Sequence, residues 1–277
     1  MVIWLAPIVR ERPPARIQID GYQSSMTILL TNDDGIHAPG LWALHRALKT
    51  EHQVIVVAPE RERSAVGHGI TLHKPLRAYQ VTLNSGEGWA VTGTPADCVK
   101  LSMVELLEQR PDLVISGINP GANVGVNLNY SGTVAAAKEA ALYGVPALAV
   151  SIQSHEDPHF DDAAAFVARL VPLVRDKGLP PGVFLNINIP NLSIQEVAGV
   201  KITRQGCDLY DEYFEKRRDP RNRVYYWQGY ESQPTYTQDD ADGAVLAGKH
   251  ITITPVRCDM TDYTMMEQLH AWGLQKE

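Results

Sequence analysis

From Thr27 onward, short runs of β-branched and aliphatic residues alternate with segments of helical period. Candidate strands fall at 27–31, 54–58, 113–116, 147–151, 183–189, 200–203 and 251–256, and candidate helices at 41–49, 96–109, 133–143 and 162–175. The strands are apolar along their whole length, so both faces need cover. That requirement predicts a three-layer αβα fold of the α/β class, with a Rossmann-like, mostly parallel sheet. Local chemistry agrees with the helix boundaries. Thr94 can cap, Pro95 suits a first helical position, and Asp97 stands near the positive end of the helix dipole. Gly144 and Pro146 stop the helix that begins near Thr133.

The 277 residues suit one large domain, expected to span 26–277. Residues 1–25 read as a disordered amino-terminal extension. Its apolar stretch from Val2 to Val9 is short, interrupted by Pro7 and followed rather than preceded by arginines, the wrong order for a signal peptide. Met26, just before the first strand, is a second candidate for the translational start. After Gly206 the pattern breaks. Residues 207–249 are rich in Tyr, Asp, Arg and Gln and lack a clear period. Such a stretch protrudes as an arm, packs on a partner or is partly disordered. Within it Tyr225-Tyr226-Trp227 fits an edge strand whose aromatics suit an interface, or simply surface aromatics without a partner.

A net charge of -7 argues against a nucleic-acid binder with a broad basic face, yet permits a small anion held locally. Three scattered cysteines with no CxxC pair point to a reducing, cytoplasmic setting. No run approaches the roughly 18 apolar residues of a membrane span. Phosphate-loop, dinucleotide-loop, G-x-S-x-G and H-E-x-x-H signatures are absent. Of the nine histidines, His37 lies nearest the acidic residues described next, although a solvated loop histidine is the simpler description.

Three polar clusters follow three strands. Thr31-Asn32-Asp33-Asp34-Gly35 follows the first, Ser64 ends Pro59-Glu60-Arg61-Glu62-Arg63-Ser64 after the second, and Asn119 stands in Ser116-Gly117-Ile118-Asn119-Pro120-Gly121 after the third. Adjacent carboxylates repel, which makes sense around a cation. An Asx-rich turn with Gly35 at positive φ describes the first cluster equally well. If the three strands are parallel, their loops open on one edge of the sheet. Asp33, Asp34, Ser64 and Asn119 then offer an all-oxygen set suited to Mg²⁺, Mn²⁺ or Ca²⁺ and poor for zinc. A fourth cluster, Tyr130-Ser131-Gly132-Thr133, opens an alanine-rich helix and reads either as an ordinary cap or as a phosphate cradle.

Together these clusters resemble the SurE family of metal-dependent 5′-nucleotidases. The matching stretches are ILLTNDDGIHAPG (28–40), VVAPERERSAVGHGITL (56–72), VTGTPADCVKL (91–101), DLVISGINPGANVG (112–125), YSGTVAAAKEAALYGVPALAVS (130–151), FLNINIP (184–190) and ITITPVRCDMTDY (251–263). The likeness implies one divalent cation per subunit on Asp33, Asp34, Ser64 and Asn119, and phosphate contacts from Ser131, Gly132 and Thr133 with Asn123 nearby. It implies phosphate release from nucleoside 5′-monophosphates with broad specificity that includes 3′-nucleotides, without nucleic-acid or membrane partners. It also implies a cytoplasmic homodimer or homotetramer with an exchanged carboxyl-terminal segment. The amino-terminal extension lies outside the family pattern, and Tyr263 stands where some relatives carry histidine.

The chemistry expected is displacement at phosphorus by water, with Asp33 or Asp34 orienting or deprotonating it. Asn32-Asp33-Asp34-Gly35 lacks the D-x-D spacing of aspartate-nucleophile phosphatases, which disfavours a covalent aspartyl-phosphate. A nucleotide- or sugar-nucleotide-binding protein, or a transferase, using the same cradle without hydrolysis is the alternative, since doubly wound sheets host both.

Overall fold

In the computed structural model, residues 17, 25–83, 86–154, 156–193, 195–207, 212–230 and 236–274 are described. In chain order the elements are β1 (Thr27–Thr31), α1 (Pro39–Leu48), β2 (Gln53–Pro59), β3 (Ala78–Leu83), β4 (Gly86–Val91), α2 (Pro95–Leu101), β5 (Leu113–Pro120), α3 (Gly132–Leu142), β6 (Ala147–Ile152), α4 (Phe160–Lys177), β7 (Val183–Ile189), β8 (Gly199–Ile202), β9 (Glu212–Arg218), β10 (Val224–Tyr230), α5 (Asp242–Ala247), β11 (His250–Arg257) and α6 (Tyr263–Ala271). The main sheet runs β3-β4-β2-β1-β5-β6-β7-β11-β8. Only β3 against β4 and β11 against β7 are antiparallel. The expected αβα architecture is therefore the one found.

Strand β1 shows why both helical layers form. Ile28 and Leu30 face a core shared with Leu41 and Leu44 of α1 and Val167 and Val171 of α4. Leu29 faces the other side, with Val99 of α2 and Ala136, Ala137 and Ala140 of α3. Alternate side chains of one strand thus enter opposite cores, and all five β1 residues are buried. The small residues of α3 let that helix lie close on the sheet. From β1 the chain moves outward to β2 and returns to β5 on the other side of β1. The carboxyl ends of β1 and β5 consequently flank a topological switch point, where open α/β sheets bind ligands.

Several expectations change in detail. The helix expected over 96–109 ends at Leu101 and passes into a π-helical turn, Ser102–Leu106, where Ser102 Oγ donates to the Cys98 carbonyl. Strands β3 and β4 escaped the sequence pattern because β3 is largely exposed and β4 is interrupted by Gly86 and Gly88. Tyr225, Tyr226 and Trp227 belong to β10, which pairs with β9 in a separate hairpin rather than edging the main sheet. Of the amino-terminal extension, Ile17 bridges to Leu107 in parallel, donating its N–H to the Leu106 carbonyl. Apart from Ile17 and Ser25, that extension lies outside the described residues, as do 208–211 and 231–235 of the expected arm. No helix among the described residues is long and apolar enough to cross a membrane.

One close approach ties α1 to the site edge. A Cβ on Gly40 would lie 2.2 Å from the Ile118 carbonyl oxygen and 2.9 Å from the Phe160 ring. Gly40→Ala is expected to lower the unfolding free energy by about 1–3 kcal/mol, despite the better helix propensity of alanine. An unchanged midpoint in denaturant unfolding would contradict this packing.

Candidate active site

The turn after β1 satisfies both descriptions of its sequence. Asn32 makes the Asx turn itself: its Oδ1 accepts from the Gly35 N–H at 3.2 Å, its Nδ2 donates to the Gly35 carbonyl at 3.0 Å, and Gly35 takes φ +98°. Asp33 and Asp34 are left out of that turn, so their carboxylates face other work. Two backbone bonds, Ile36 N–H to the Pro59 carbonyl and Arg63 N–H to the Asp33 carbonyl, stitch this turn to the loop after β2.

Asp33 is buried against the amino end of α3. Burial holds its pKa above the ordinary carboxylate value, although the Thr133 hydroxyl and the backbone amides of Asp33, Thr133 and Gly132 pull it down in part. The Thr133 hydroxyl donates to Asp33 Oδ1 at 2.5 Å. A Cβ on Gly132 would meet Asp33 Cβ at 2.7 Å and its Oδ2 at 2.9 Å, so glycine is required for this carboxylate to reach the helix start. Asp34, beside it, has its pKa pushed up to about 7 by burial, then by the charges of Asp33 and Glu62. Its Oδ2 is buried without a hydrogen-bond partner.

Ser64 donates its hydroxyl proton to Glu62 Oε1 at 2.6 Å, which leaves the oxygen lone pairs available. Asn119 belongs to the irregular end of β5 rather than to a loop beyond it. The β5–β6 register shifts between Ser116 and Asn119, where Gly117 at φ +136° passes so near β6 that a Cβ would lie 2.3 Å from the Val150 carbonyl oxygen. The Asn119 amide nitrogen donates to the Gly121 carbonyl at 2.6 Å, so its carbonyl oxygen remains for another partner. Asp33, Ser64, Asn119, Asn123 and Ser131 line one cavity of about 540 Å³.

The helix cluster divides its roles. Ser131 is the amino-terminal cap of α3, its Oγ accepting from the Val134 N–H at 3.1 Å, which leaves the hydroxyl proton as a donor. Thr133 is fully buried and gives its hydroxyl to Asp33. Neither Gly132 nor Thr133 borders the cavity, whereas Ser131 does.

Residues that the sequence pattern left unassigned hold this frame. Asn188 Oδ1 accepts from the Asn123 N–H at 2.7 Å, and the amides of Asn186 and Asn188 both donate to the Asn123 carbonyl. The Asn123 amide donates to Ser151 Oγ at 2.9 Å. The signal was two asparagines at alternate positions of an apolar strand, where a buried amide needs partners. Behind α3, Glu139 takes His68 at 2.7 Å and Lys100 at 2.8 Å. Burial alone would raise Glu139, but those two donors hold its carboxyl below the ordinary value. His37 is exposed.

Thr133→Val keeps the volume and removes the donor to Asp33, and should cost about 1–3 kcal/mol of stability. Because this bond lowers the folded-state pKa of Asp33, the loss should grow as pH rises through that pKa and shrink in acid. Denaturant titrations of both proteins between pH 4 and 8 would test it, with a pH-independent difference as the contrary result.

Comparison with known proteins gives a consistent picture. Residues 28–212 match the family model described as survival protein SurE. The chain is 58% identical over 252 residues to a 5′-nucleotidase SurE of Desulfatibacillum aliphaticivorans, covering 91% of this chain and 100% of that protein. It is 50% identical over 253 residues to a 5′-nucleotidase SurE of Syntrophobacter fumaroxidans, covering 90% and 100% respectively. The crystal structure of SurE protein from Aquifex aeolicus superposes with a TM-score of 0.79 at 39% identity, covering 89% of this chain and 99% of that one. Apart from Gln228, the residues that line the cavity fall within the matched span, and the chain belongs to the SurE family.

Proposed function

We propose that this chain is a 5′-nucleotidase, a phosphohydrolase that releases phosphate from nucleoside 5′-monophosphates, working with one divalent cation (Mg²⁺, Mn²⁺ or Ca²⁺). The observation that carries the reading is the Asp34 Oδ2, buried without a donor next to the buried carboxylate of Asp33, which lines the cavity together with Ser64, Asn119 and Ser131. A carboxylate oxygen left in that condition fits a cation partner. The donor set agrees: Asp33, Asp34, Ser64 and Asn119 supply hard oxygens only. Among the described residues no cluster of three or more His, Cys, Asp or Glu offers a different kind of metal site. Bound on those four residues, the cation would supply charge neutralisation at the phosphoryl oxygens and acidify a water.

The remaining chemistry belongs to the chain. The Ser131 hydroxyl, at the positive end of α3, holds a phosphoryl oxygen. Asn123, whose position is fixed by Asn186 and Asn188, lines the same cavity on the phosphate side, while the backbone N–H groups of Gly132 and Thr133 serve the phosphate site indirectly by holding Asp33. Asp33 or Asp34 orients the attacking water and takes its proton. The new P–O bond forms as the bond to the nucleoside oxygen breaks, and that oxygen takes up a proton from solvent water as it leaves. The same cradle admits 3′-nucleotides, since it grips the phosphoryl group rather than the point of its attachment.

Assembly as a homodimer or homotetramer with an exchanged carboxyl-terminal segment is part of the same proposal. Helix α6 has no buried residue and exposes Met265, Met266 and Leu269, with Trp272 exposed just after it, while the β9–β10 hairpin exposes Phe214, Tyr226 and Trp227. Large apolar side chains left open on two protruding elements fit an interface between copies. Three free cysteines fit a cytoplasmic setting.

Phosphate release from AMP, GMP and 3′-AMP in Mn²⁺, with and without chelator, tests the activity. Asp34→Asn should reduce turnover by about 100-fold or more, with unchanged circular dichroism. Near-normal turnover by that variant would overturn the metal role. Tight AMP binding without phosphate release by the wild-type chain would favour a nucleotide binder or transferase instead.

A further inference from the structure

The site cavity has a wall that the phosphate chemistry does not use. Gln228 of β10 borders it, together with Asp33, Ser64, Asn119 and Ser131, although it comes from the arm and about 200 residues separate it from β1. Tyr130, immediately before the Ser131 cap, borders the same cavity with its side chain 60% exposed. The cavity, about 540 Å³, falls within the range of small-molecule sites and exceeds what a phosphoryl group fills.

We infer that the β9–β10 hairpin completes the substrate site, with Gln228 and the Tyr130 ring holding the base of a nucleoside monophosphate whose phosphate lies at Ser131. This inference rests on the phosphohydrolase reading and adds to it the groups that recognise the leaving nucleoside. The Gln228 amide has no hydrogen-bond partner among the described residues, so both its donor and its acceptor are open to a ligand. An amide presents donor and acceptor side by side, the pattern that the edges of nucleobases complement. Rotating the amide exchanges the two, so one glutamine serves bases of opposite pattern. An exposed aromatic ring next to the phosphate cap offers the base a stacking face whatever its identity.

The hairpin's root is fixed to this site. Buried Asp242 accepts from the Gly125 N–H, at 3.1 and 3.0 Å to its two oxygens, and from the Gly206 N–H at 3.0 Å. Gln205 Nε2 donates to the Gly125 carbonyl at 2.8 Å. The chain just before the hairpin, at Gln205 and Gly206, and just after it, at Asp242, is thereby clamped to Gly125 in the loop between Asn123 and Asn127. On β10, Tyr226 shares the face of Gln228, and Phe214 of β9 sits directly across from it.

The test compares AMP with ribose 5-phosphate, which keeps the sugar and phosphate and lacks the base. In Gln228→Ala and in Tyr130→Ala the ratio of kcat/KM for AMP to that for ribose 5-phosphate should fall about three- to tenfold, the value of one or two such contacts. Tyr130→Phe should restore the ratio, and Arg217→Ala, which removes an exposed ion pair on the same hairpin, should leave it at the wild-type value. Calorimetric binding of the two ligands should show the same change in ratio without turnover, and size-exclusion elution shows whether assembly has altered. An unchanged ratio in Gln228→Ala, or an equal fall for both substrates, would overturn the inference. A wild-type chain that binds AMP more tightly than ribose 5-phosphate but releases no phosphate would sink the hydrolytic reading while leaving the base contacts intact.

Discussion

The site depends on one buried carboxylate. Asp33 lies at the end of β1 with its oxygens on the first turn of α3, about 100 residues later in the chain. Burying a charge there is costly, and the structure offsets the cost locally: a threonine hydroxyl, two helix amides and the dipole of α3 all face it. The surrounding residue choices follow from that placement. Position 132 must be glycine because any side chain would occupy the space of Asp33, and position 133 must carry a donor small enough to be fully buried. What reads in sequence as a phosphate-binding Ser-Gly-Thr is therefore divided: Ser131 faces the cavity, while Gly132 and Thr133 hold the carboxylate in place.

A second frame fixes the other side of the cavity. The β5–β6 register shifts between Ser116 and Asn119, pairing ends at Pro120, and the chain from Gly121 to Asn123 has no strand to lie in. Asn186 and Asn188, both fully buried on β7, replace the missing ladder by bonding both the N–H and the carbonyl of Asn123. Polar side chains inside a sheet are expensive unless paired, and here they define the position of a loop that no backbone ladder could hold.

How far the sequence was legible follows from these two frames. Strands β1, β2, β5 and β6 carried continuous apolar runs and β7 an apolar run broken only by Asn186 and Asn188, so the parallel core and the common edge for Asp33, Ser64 and Asn119 could be inferred from local pattern and strand direction. Strands β3 and β4 could not, because an exposed edge and two glycines hide their alternation. The π-turn after α2 was equally hidden, since its apolar spacing continues that of a helix. Asn119 was identified by type but misplaced in kind, as a loop residue rather than the bulged end of a strand. Asn186, Asn188, Asp242 and Gln228 act through partners 36 to 117 positions away or across a cavity, and a single sequence carries no record of such distances.

The residues that line the cavity are of two kinds, and the difference bears on specificity. The phosphate end is built from buried groups with their hydrogen bonds assigned: Asp33 on Thr133, Ser131 on Val134, Asn123 on β6 and β7. Such groups have little freedom to adapt, and a transition state at phosphorus demands just that, because fixed dipoles stabilise developing charge only where they need not reorganise. Tyr130 and Gln228, which border the same cavity, are exposed. A leaving group held by a rotatable amide and an open ring is tolerated over a range of shapes, with modest loss for each poor fit. On the proposed reading, broad nucleotide specificity is the expected consequence of joining a rigid sheet edge to a hairpin whose flanking residues are tied down by Asp242 and Gln205.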